Sequence, residues 1–233
     1  VMSYSDGVPF SSGNAQLVEG AGTTTATFAS EVLPGDRYVA YYGYGKMDEN
    51  YQVMPHIITY QEICFTEGDG TSYWNYIYPM YAESNGTNFE FKNIASVLKI
   101  EVKGNAKLEN IRIEANSEDV IMSGYCSVGF SEDGVLQTKM IADSTACNFI
   151  SYDVNKMLSE TEVLECYVVL PAQTYPGGIS LTFSGTAGTM VRSFNQDLTF
   201  ERSQIRTIKD VVFSEENPIS WGVVGTMTNW GND

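Results

Sequence analysis

The chain has very little histidine. His56 is the single histidine among 233 residues. Hydrolytic triads usually take histidine as their general base, and zinc or iron sites usually combine several histidines or cysteine pairs. The G-x-S-x-G, P-loop and H-E-x-x-H motifs are also missing from the sequence. The sequence therefore predicts a non-enzymatic protein with no catalytic residue, no cofactor and no metal site, and a structural role for His56.

Positive charge is also scarce. The 13 lysines and arginines are outnumbered by 29 aspartates and glutamates, which gives a formal net charge of −16. Residues 1–87 and residues 88–233 each carry a net charge of −8, so neither part offers a basic face. Phosphate backbones and anionic lipid surfaces are bound through clustered lysine and arginine. We therefore exclude nucleic acid as a partner.

Long apolar runs are missing as well. No segment approaches the ~18 consecutive apolar residues of a membrane-spanning helix. Membrane attachment would then require a lipid anchor, and none is visible in this chain. Because the first residues, Val1-Met2-Ser3-Tyr4, already have the composition of a strand, we expect the chain to start after a removed segment.

The four cysteines are too few and too scattered for a disulfide scaffold. None of Cys64, Cys126, Cys147 and Cys166 forms a C-x-x-C pair, so a zinc or thioredoxin-like site is not supported. Cys126 and Cys147 each lie in a strand-like segment and could pair in an oxidising compartment. Alternatively, the thiols stay free and pack as small hydrophobic residues.

Acidic residues are plentiful but do not define a site. Paired carboxylates can serve a glycosidase, but the sequence gives no separation between them. Glu67, Asp69 and Thr71 alternate as calcium ligands do, yet they fall short of the roughly six oxygen ligands that calcium requires. Asp and Gly are expected at turns in any β protein. We therefore predict turns at these positions.

Apolar and polar residues alternate with period two along much of the chain. Segments 98–103 and 111–115, joined at Gly104-Asn105, predict two adjacent antiparallel strands with one face in solvent. The run Cys166–Leu170 is apolar on both faces and stops at Pro171, which predicts a central buried strand. A short helix is predicted at residues 153–160 with Asp153 as its N-cap. The predicted core residues of this part are Leu98, Ile100, Val102, Ile111, Ile113, Val168, Leu170, Leu181 and Phe183.

Strands about ten residues apart, separated by turns, predict β-sandwiches rather than βαβ units. A polar turn cluster at residues 84–87 marks a boundary. We therefore predict an all-β fold of two tandem antiparallel β-sandwich domains, residues 1–87 and 88–213. Residues 214–233 form a linker and a strand-like tail that could begin a further module.

Tyrosine is concentrated in one part of the chain, since ten of the fifteen tyrosines fall in residues 38–81. Exposed aromatic rings can stack on sugars or anchor a protein interface. Tyrosine is also a good strand former that packs across sheets, so core packing is the alternative explanation. The candidate ligand or partner contacts are Tyr41, Tyr44, Trp74, Tyr76, Trp221 and Trp230.

Seven short segments, taken in order, resemble the fimbrillin-like family, which includes the stalk and accessory subunits of type V pili and related outer-membrane lipoproteins. The resemblance covers most of residues 24–213. The first segments match the family's first-domain pattern, and Phe91–Ile100 resembles the strand that opens its second domain. The segments are residues 26–28, 35–42, 91–100, 111–115, 121–124, 168–172 and 200–205.

This resemblance implies two transthyretin-like, Greek-key sandwiches and export to the outer membrane of a Gram-negative bacterium. It implies a pilus subunit or tip adhesin whose partners are other surface subunits, joined by strand addition, or a glycan or host protein. Two family features are not identifiable here: a lipidation cysteine near Val1 and the arginine cleaved in polymerising pilins. The segment 221–230 instead resembles the first strand of outer-membrane starch- and glycan-binding lipoproteins. An outer-membrane glycan-binding lipoprotein is therefore the alternative function.

Overall fold

The computed structural model describes residues 1–20, 27–31, 33–62 and 78–214. These residues form strands, turns and loops without a helix, so the predicted all-β fold is confirmed. None of them could cross a membrane as a helix. The strands are β1 (Met2–Ser5), β2 (Val8–Ser12), β3 (Gln16–Glu19), β4 (Thr27–Ala29), β5 (Arg37–Tyr42), β6 (Gly45–Met47), β7 (Val53–Ile57), β8 (Tyr60–Glu62), β9 (Met80–Ser84), β10 (Lys92–Asn93), β11 (Ala95–Gly104), β12 (Lys107–Ala115), β13 (Gly124–Phe130), β14 (Leu136–Met140), β15 (Phe149–Met157), β16 (Leu164–Pro171), β17 (Thr174–Tyr175), β18 (Ile179–Gly185), β19 (Gly188–Phe194), β20 (Leu198–Thr199) and β21 (Ile205–Phe213).

The smaller of two hydrophobic cores lies between two sheets that we call the first sandwich. One sheet has the strand order β10-β9-β5-β1-β2, and the other has the order β14-β13-β7-β6. Tyr4, Val39 and Tyr81 of the first sheet share this core with Cys126 and Leu136 of the second. The core is thus assembled from segments that are far apart along the chain, between Met2 and Leu136.

The larger core lies between the sheets β16-β11-β21 and β19-β18-β12-β15-β8, which we call the second sandwich. Alternating residues of each strand point inward, because successive side chains of a strand lie on opposite faces. All nine predicted core residues are at most 1% exposed, so this prediction is confirmed. The pairs β11–β21 and β8–β15 are parallel, and the other described pairs are antiparallel.

The prediction that segments 98–103 and 111–115 pair with each other is wrong. Strand β11 pairs with β16 and β21, whereas β12 pairs with β15 and β18. The chain crosses from one sheet to the other after Gly104, so the two apolar faces meet across the core. Gly104 is needed there, because a Cβ atom would lie 1.7 Å from the carbonyl oxygen of Phe213. Alternation identifies the apolar face of a strand but not the strand beside it.

The predicted helix at residues 153–160 is also wrong, because β15 continues to Met157. Asp153 pairs with Asn110 of β12, and Ile150 and Val154 are buried in the core. Pairing with a neighbouring strand and burial of alternate side chains outweigh a weak N-cap signal.

In the run Cys166–Leu170 all residues are buried except the half-buried Tyr167. The prediction of a central strand is wrong, because β16 is an edge strand of its sheet among the described residues. The side-chain amide of Gln61 covers that edge. Its Nε2 donates to the carbonyl oxygen of Val169 at 2.7 Å, and its Oε1 accepts from the backbone N–H of Val169 at 2.9 Å. Gln61 therefore provides the two hydrogen bonds that a neighbouring strand would make.

The division into domains 1–87 and 88–213 stays a prediction. Described strands from both segments pair with each other: β13 pairs with β7 in the first sandwich, and β8 pairs with β15 in the second. Residues 215–233 of the predicted tail lie outside the described residues.

The structure shows Cys126, Cys147 and Cys166 as free thiols. Burial raises the pKa of Cys126 and of Cys166 to about 12, which keeps both protonated and unreactive at neutral pH. Cys64 and the weighed calcium ligands, residues 67–71, lie outside the described residues.

Candidate functional site

The structure describes two of the six predicted contact residues. Tyr41 lies near the end of β5, and Tyr44 lies in the turn between β5 and β6. The other four, Trp74, Tyr76, Trp221 and Trp230, lie outside the described residues.

The turn that carries Tyr44 is held by close backbone contacts. The hydroxyl of Tyr41 donates a hydrogen bond to the carbonyl oxygen of Tyr44, and the backbone N–H of His56 donates to the same oxygen at 2.8 Å. Gly45 allows the approach, because a Cβ atom there would lie 2.7 Å from the carbonyl oxygen of Met54. Tyr44 is 54% exposed on this fixed turn.

Tyr44 belongs to an aromatic group that the sequence did not reveal. Its ring contacts the His56 ring edge-on with centroids 5.7 Å apart, and the His56 ring contacts Tyr125 in the same way at 4.5 Å. The ammonium of Lys46 lies 3.9 Å from the centroid of the Tyr125 ring, a cation–π distance. His56 and Tyr125 are brought together because they pair across β7 and β13. We call Tyr44, Lys46, His56, Tyr125 and the nearby Asp143 the Tyr44 cluster.

The electrostatics of the Tyr44 cluster favour a neutral imidazole. Burial lowers the pKa of His56; Asp143 opposes this shift and Lys46 adds to it. Hydrogen bonds from Thr145 lower the pKa of Asp143, with smaller contributions from Lys46 and His56. His56 Nδ1 is buried and has no hydrogen-bond partner among the described atoms. A neutral histidine packed between tyrosine rings agrees with the structural role predicted for it.

The other described tyrosines divide between surface and core. Tyr51 and Tyr60 are 59% and 72% exposed, whereas Tyr81 is 4% exposed and belongs to the core of the first sandwich. Tyr60 contacts Phe149 of the second sandwich and not the Tyr44 cluster. The concentration of tyrosine in residues 38–81 therefore reflects both packing and separate exposed positions.

A cleft of ≈ 700 Å³ is lined by residues of the first sandwich and by residues in and around the two-stranded sheet β17–β20. The lining residues are 91–93, 130, 134–136, 172–174 and 199–203. This volume is within the ~300–1,000 Å³ range of ligand pockets. No pattern in the sequence predicts the cleft, because the residues that line it are far apart along the chain.

The cleft combines aromatic rings with amide and hydroxyl groups. Phe91 and Phe130 are half-buried in its walls. Asn93 Nδ2 donates to the hydroxyl of Ser203 at 2.9 Å, and the hydroxyls of Thr174 and Thr199 lie 2.9 Å apart. Such groups can donate and accept hydrogen bonds, as the hydroxyls of a polar ligand do.

Ser203 has an unusual backbone in this cleft. Its φ is +61°, in the left-handed region that residues other than glycine seldom adopt. The conformation is held by the backbone N–H of Ser203, which donates to the carbonyl oxygen of Ala95 at 3.1 Å. Conformations of this kind occur disproportionately at ligand sites.

Within the described residues, His56 interacts with two tyrosine rings, Lys46, Asp143 and a backbone carbonyl. None of these interactions involves a serine, threonine or cysteine nucleophile. In the part of the chain that the structure describes, no group of three His, Cys, Asp or Glu side chains could hold a metal ion.

Comparison with known proteins finds solved structures of low similarity. No family model matches the chain, and no curated protein matches it. A solved structure named a "putative cell adhesion protein" from Bacteroides ovatus is 13% identical with a TM-score of 0.41, and the match covers 82% of this chain and 61% of that one. Another with the same name, from Bacteroides uniformis, is 15% identical with a TM-score of 0.47 and matches over 92% and 90% of the two chains. Similarity this low does not by itself establish a function.

Proposed function

We propose that the chain is a non-enzymatic cell-surface protein of the fimbrillin-like kind, acting as a pilus subunit or accessory adhesin. The observation that carries the proposal is the Tyr44 cluster, an aromatic and cationic surface fixed on paired strands without a nucleophile in contact with its histidine. Aromatic side chains on a rigid support are typical anchors of protein interfaces. The resemblance of the sequence to the fimbrillin-like family supports the same role.

Adhesion is tested with beads coated with the purified chain and incubated with epithelial cells and with bacteria. We expect the chain to retain beads on one of these surfaces, and Tyr44→Ala to lower retention severalfold because it removes the exposed ring of the cluster. Tyr60→Ala is the matched control, since Tyr60 is an exposed tyrosine outside the cluster. Export is tested separately by labelling intact cells with antibody to the chain. Failure of the coated beads to bind either surface would contradict the adhesive role.

A second candidate function is glycan binding, which the cleft beside the β17–β20 sheet favours. Aromatic walls and paired amide and hydroxyl groups suit a polyhydroxylated ligand that offers both a hydrogen-bonding edge and an apolar face. A glycan array probed with the chain is the first test, followed by calorimetry on any hit. Asn93→Ala should weaken binding severalfold, while Asn88→Ala, an exposed asparagine outside the cleft lining, should not. An array without a hit, or equal effects of the two variants, would exclude the cleft as a glycan site.

A further inference from the structure

The last strand of the second sandwich pairs with its neighbour in the parallel sense. Strand β21 runs beside β11, with Val97–Ile100 facing Ile205–Ile208 and Val102–Gly104 facing Val211–Phe213. In the sheet order β16-β11-β21, β11 is the one described neighbour of β21. Holding β21 in the sheet therefore depends on this single ladder and on the side chains that β21 buries.

The chain enters and leaves the second sandwich at opposite ends. Among the described residues, it passes between the sandwiches at the start of β8, at the start of β11, at the end of β12 and at the start of β15, because β7, β10, β13 and β14 belong to the first sandwich. The last two of these points are adjacent, since the N–H of Ala115 donates to the carbonyl oxygen of Asn148. Because β11 and β12 run in opposite directions around the turn at Gly104, the start of β11 lies at the same end as these two points. The start of β8 also lies at this end, because β8 runs parallel to β15 with Tyr60 facing Ser151. The chain leaves at Phe213, which faces Gly104 at the other end.

Tension between the first sandwich and residue 214 therefore acts along the axis of β21. It pulls β21 lengthwise against β11, so that the backbone hydrogen bonds of the ladder are loaded together and must fail together. A force applied across the ladder would instead break the same bonds one after another from one end. We propose that the β11–β21 pair is a mechanical clamp that lets the second sandwich bear tension along the chain. Its use in the cell rests on the proposed function, since a surface subunit or adhesin transmits force.

Specific contacts oppose sliding of β21. Gln204 accepts hydrogen bonds from the hydroxyl of Ser96 and from the backbone N–H of Val97, both at 2.9 Å, directly before the ladder. The pairing also contains an irregularity between Ile100 and Val102, opposite Asp210 at φ +58°. A one-residue slip would reverse the facing of every side chain on the strand, and so expose Val211, which is 2% exposed in the structure. The ladder is thus fixed in one register.

The test is single-molecule force spectroscopy on the full chain in two geometries. In the first, the handles are at the two chain ends, so that β21 is loaded lengthwise. In the second, one handle is at the C-terminus and the other is on an unnatural amino acid at Asn105, an exposed residue next to Gly104. The second geometry opens the ladder from its Gly104–Phe213 end. The length of chain released identifies which sandwich opens in each event.

We expect the second sandwich to open at a severalfold higher force in the end-to-end geometry. Forced unfolding follows the unfolding rate, so the difference should appear without any change in equilibrium stability. Val211→Ala should lower the end-to-end force, and Val212→Ala, a 48% exposed neighbour, should not. Equal forces in the two geometries would overturn the clamp, and this comparison needs no variant that might misfold. If the coated beads fail to adhere but the unfolding force still differs between the two pulling geometries, only the adhesive role is overturned and the clamp stands.

Discussion

At the scale of single residues, stability depends on side chains that have no contact with solvent. Ile113 of β12 is 0% exposed within the core of the second sandwich. We predict that Ile113→Ala lowers the free energy of unfolding by about 2–5 kcal/mol, through lost burial and the cavity left behind. Denaturant unfolding followed by circular dichroism measures the change. The control is Ile205→Ala, at a position 60% exposed, which should change stability by less than about 0.5 kcal/mol. If Ile113→Ala unfolds at the same denaturant concentration as the wild type, Ile113 does not point into the core and the orientation assigned to β12 is wrong.

His56 gives a prediction about pH. Because burial lowers its pKa in the folded state below the ordinary 6.5, the unfolded chain binds the proton more readily. Stability contributed by the neutral imidazole is present above the unfolded pKa and is lost as the pH falls from that value towards the folded pKa. Melting temperatures measured from neutral to mildly acidic pH should therefore fall in the wild type. The fall should be smaller in His56→Gln, and identical profiles for the two proteins would contradict the shift.

At the scale of elements, Gln61 stabilises the edge of β16. Gln61→Leu would leave the N–H and C=O groups of Val169 without partners in a buried place, which costs about 1–3 kcal/mol for each group. We therefore predict clear destabilisation despite the gain of an apolar side chain. Thermal and denaturant unfolding measure it, with Gln137→Leu on an exposed position of β14 as the matched control. Equal stability of the two variants would show that water satisfies the edge instead.

The elements also show what strand patterns leave open. The alternation in β11 and β12 identified their buried residues correctly, including Ile100 and Ile113, but assigned the two strands to one sheet. A turn at Gly104 is compatible with a hairpin and with a crossing between sheets. The structure has the crossing, because β11 pairs with β16 on one side and with β21 on the other, which leaves no free edge for β12.

At the scale of the whole molecule, each sandwich contains strands from both predicted segments, residues 1–87 and 88–213. The core of the first sandwich includes Cys126 and Leu136, which belong to β13 and β14. We predict that residues 1–87 expressed alone do not fold, because their core would lack these side chains and β7 would lack its partner β13. The full chain is the control, and dispersion of amide signals in proton NMR is the measurement. A well-dispersed spectrum of residues 1–87 would instead support an independent domain ending at that boundary.

The sequence alone was sufficient to predict the all-β class and the nine core residues, because the composition of a strand and the alternation of its side chains are local properties. It also singled out Tyr44, through the local excess of tyrosine. It could not assemble the Tyr44 cluster, since Tyr125 reaches His56 only through the pairing of β7 with β13. The cleft and the parallel β11–β21 pair likewise depend on contacts between distant segments. Pairing partners, sheet order and the direction of a strand are decided by the tertiary structure, because many strands share the same alternation and only packing of the whole chain selects among them.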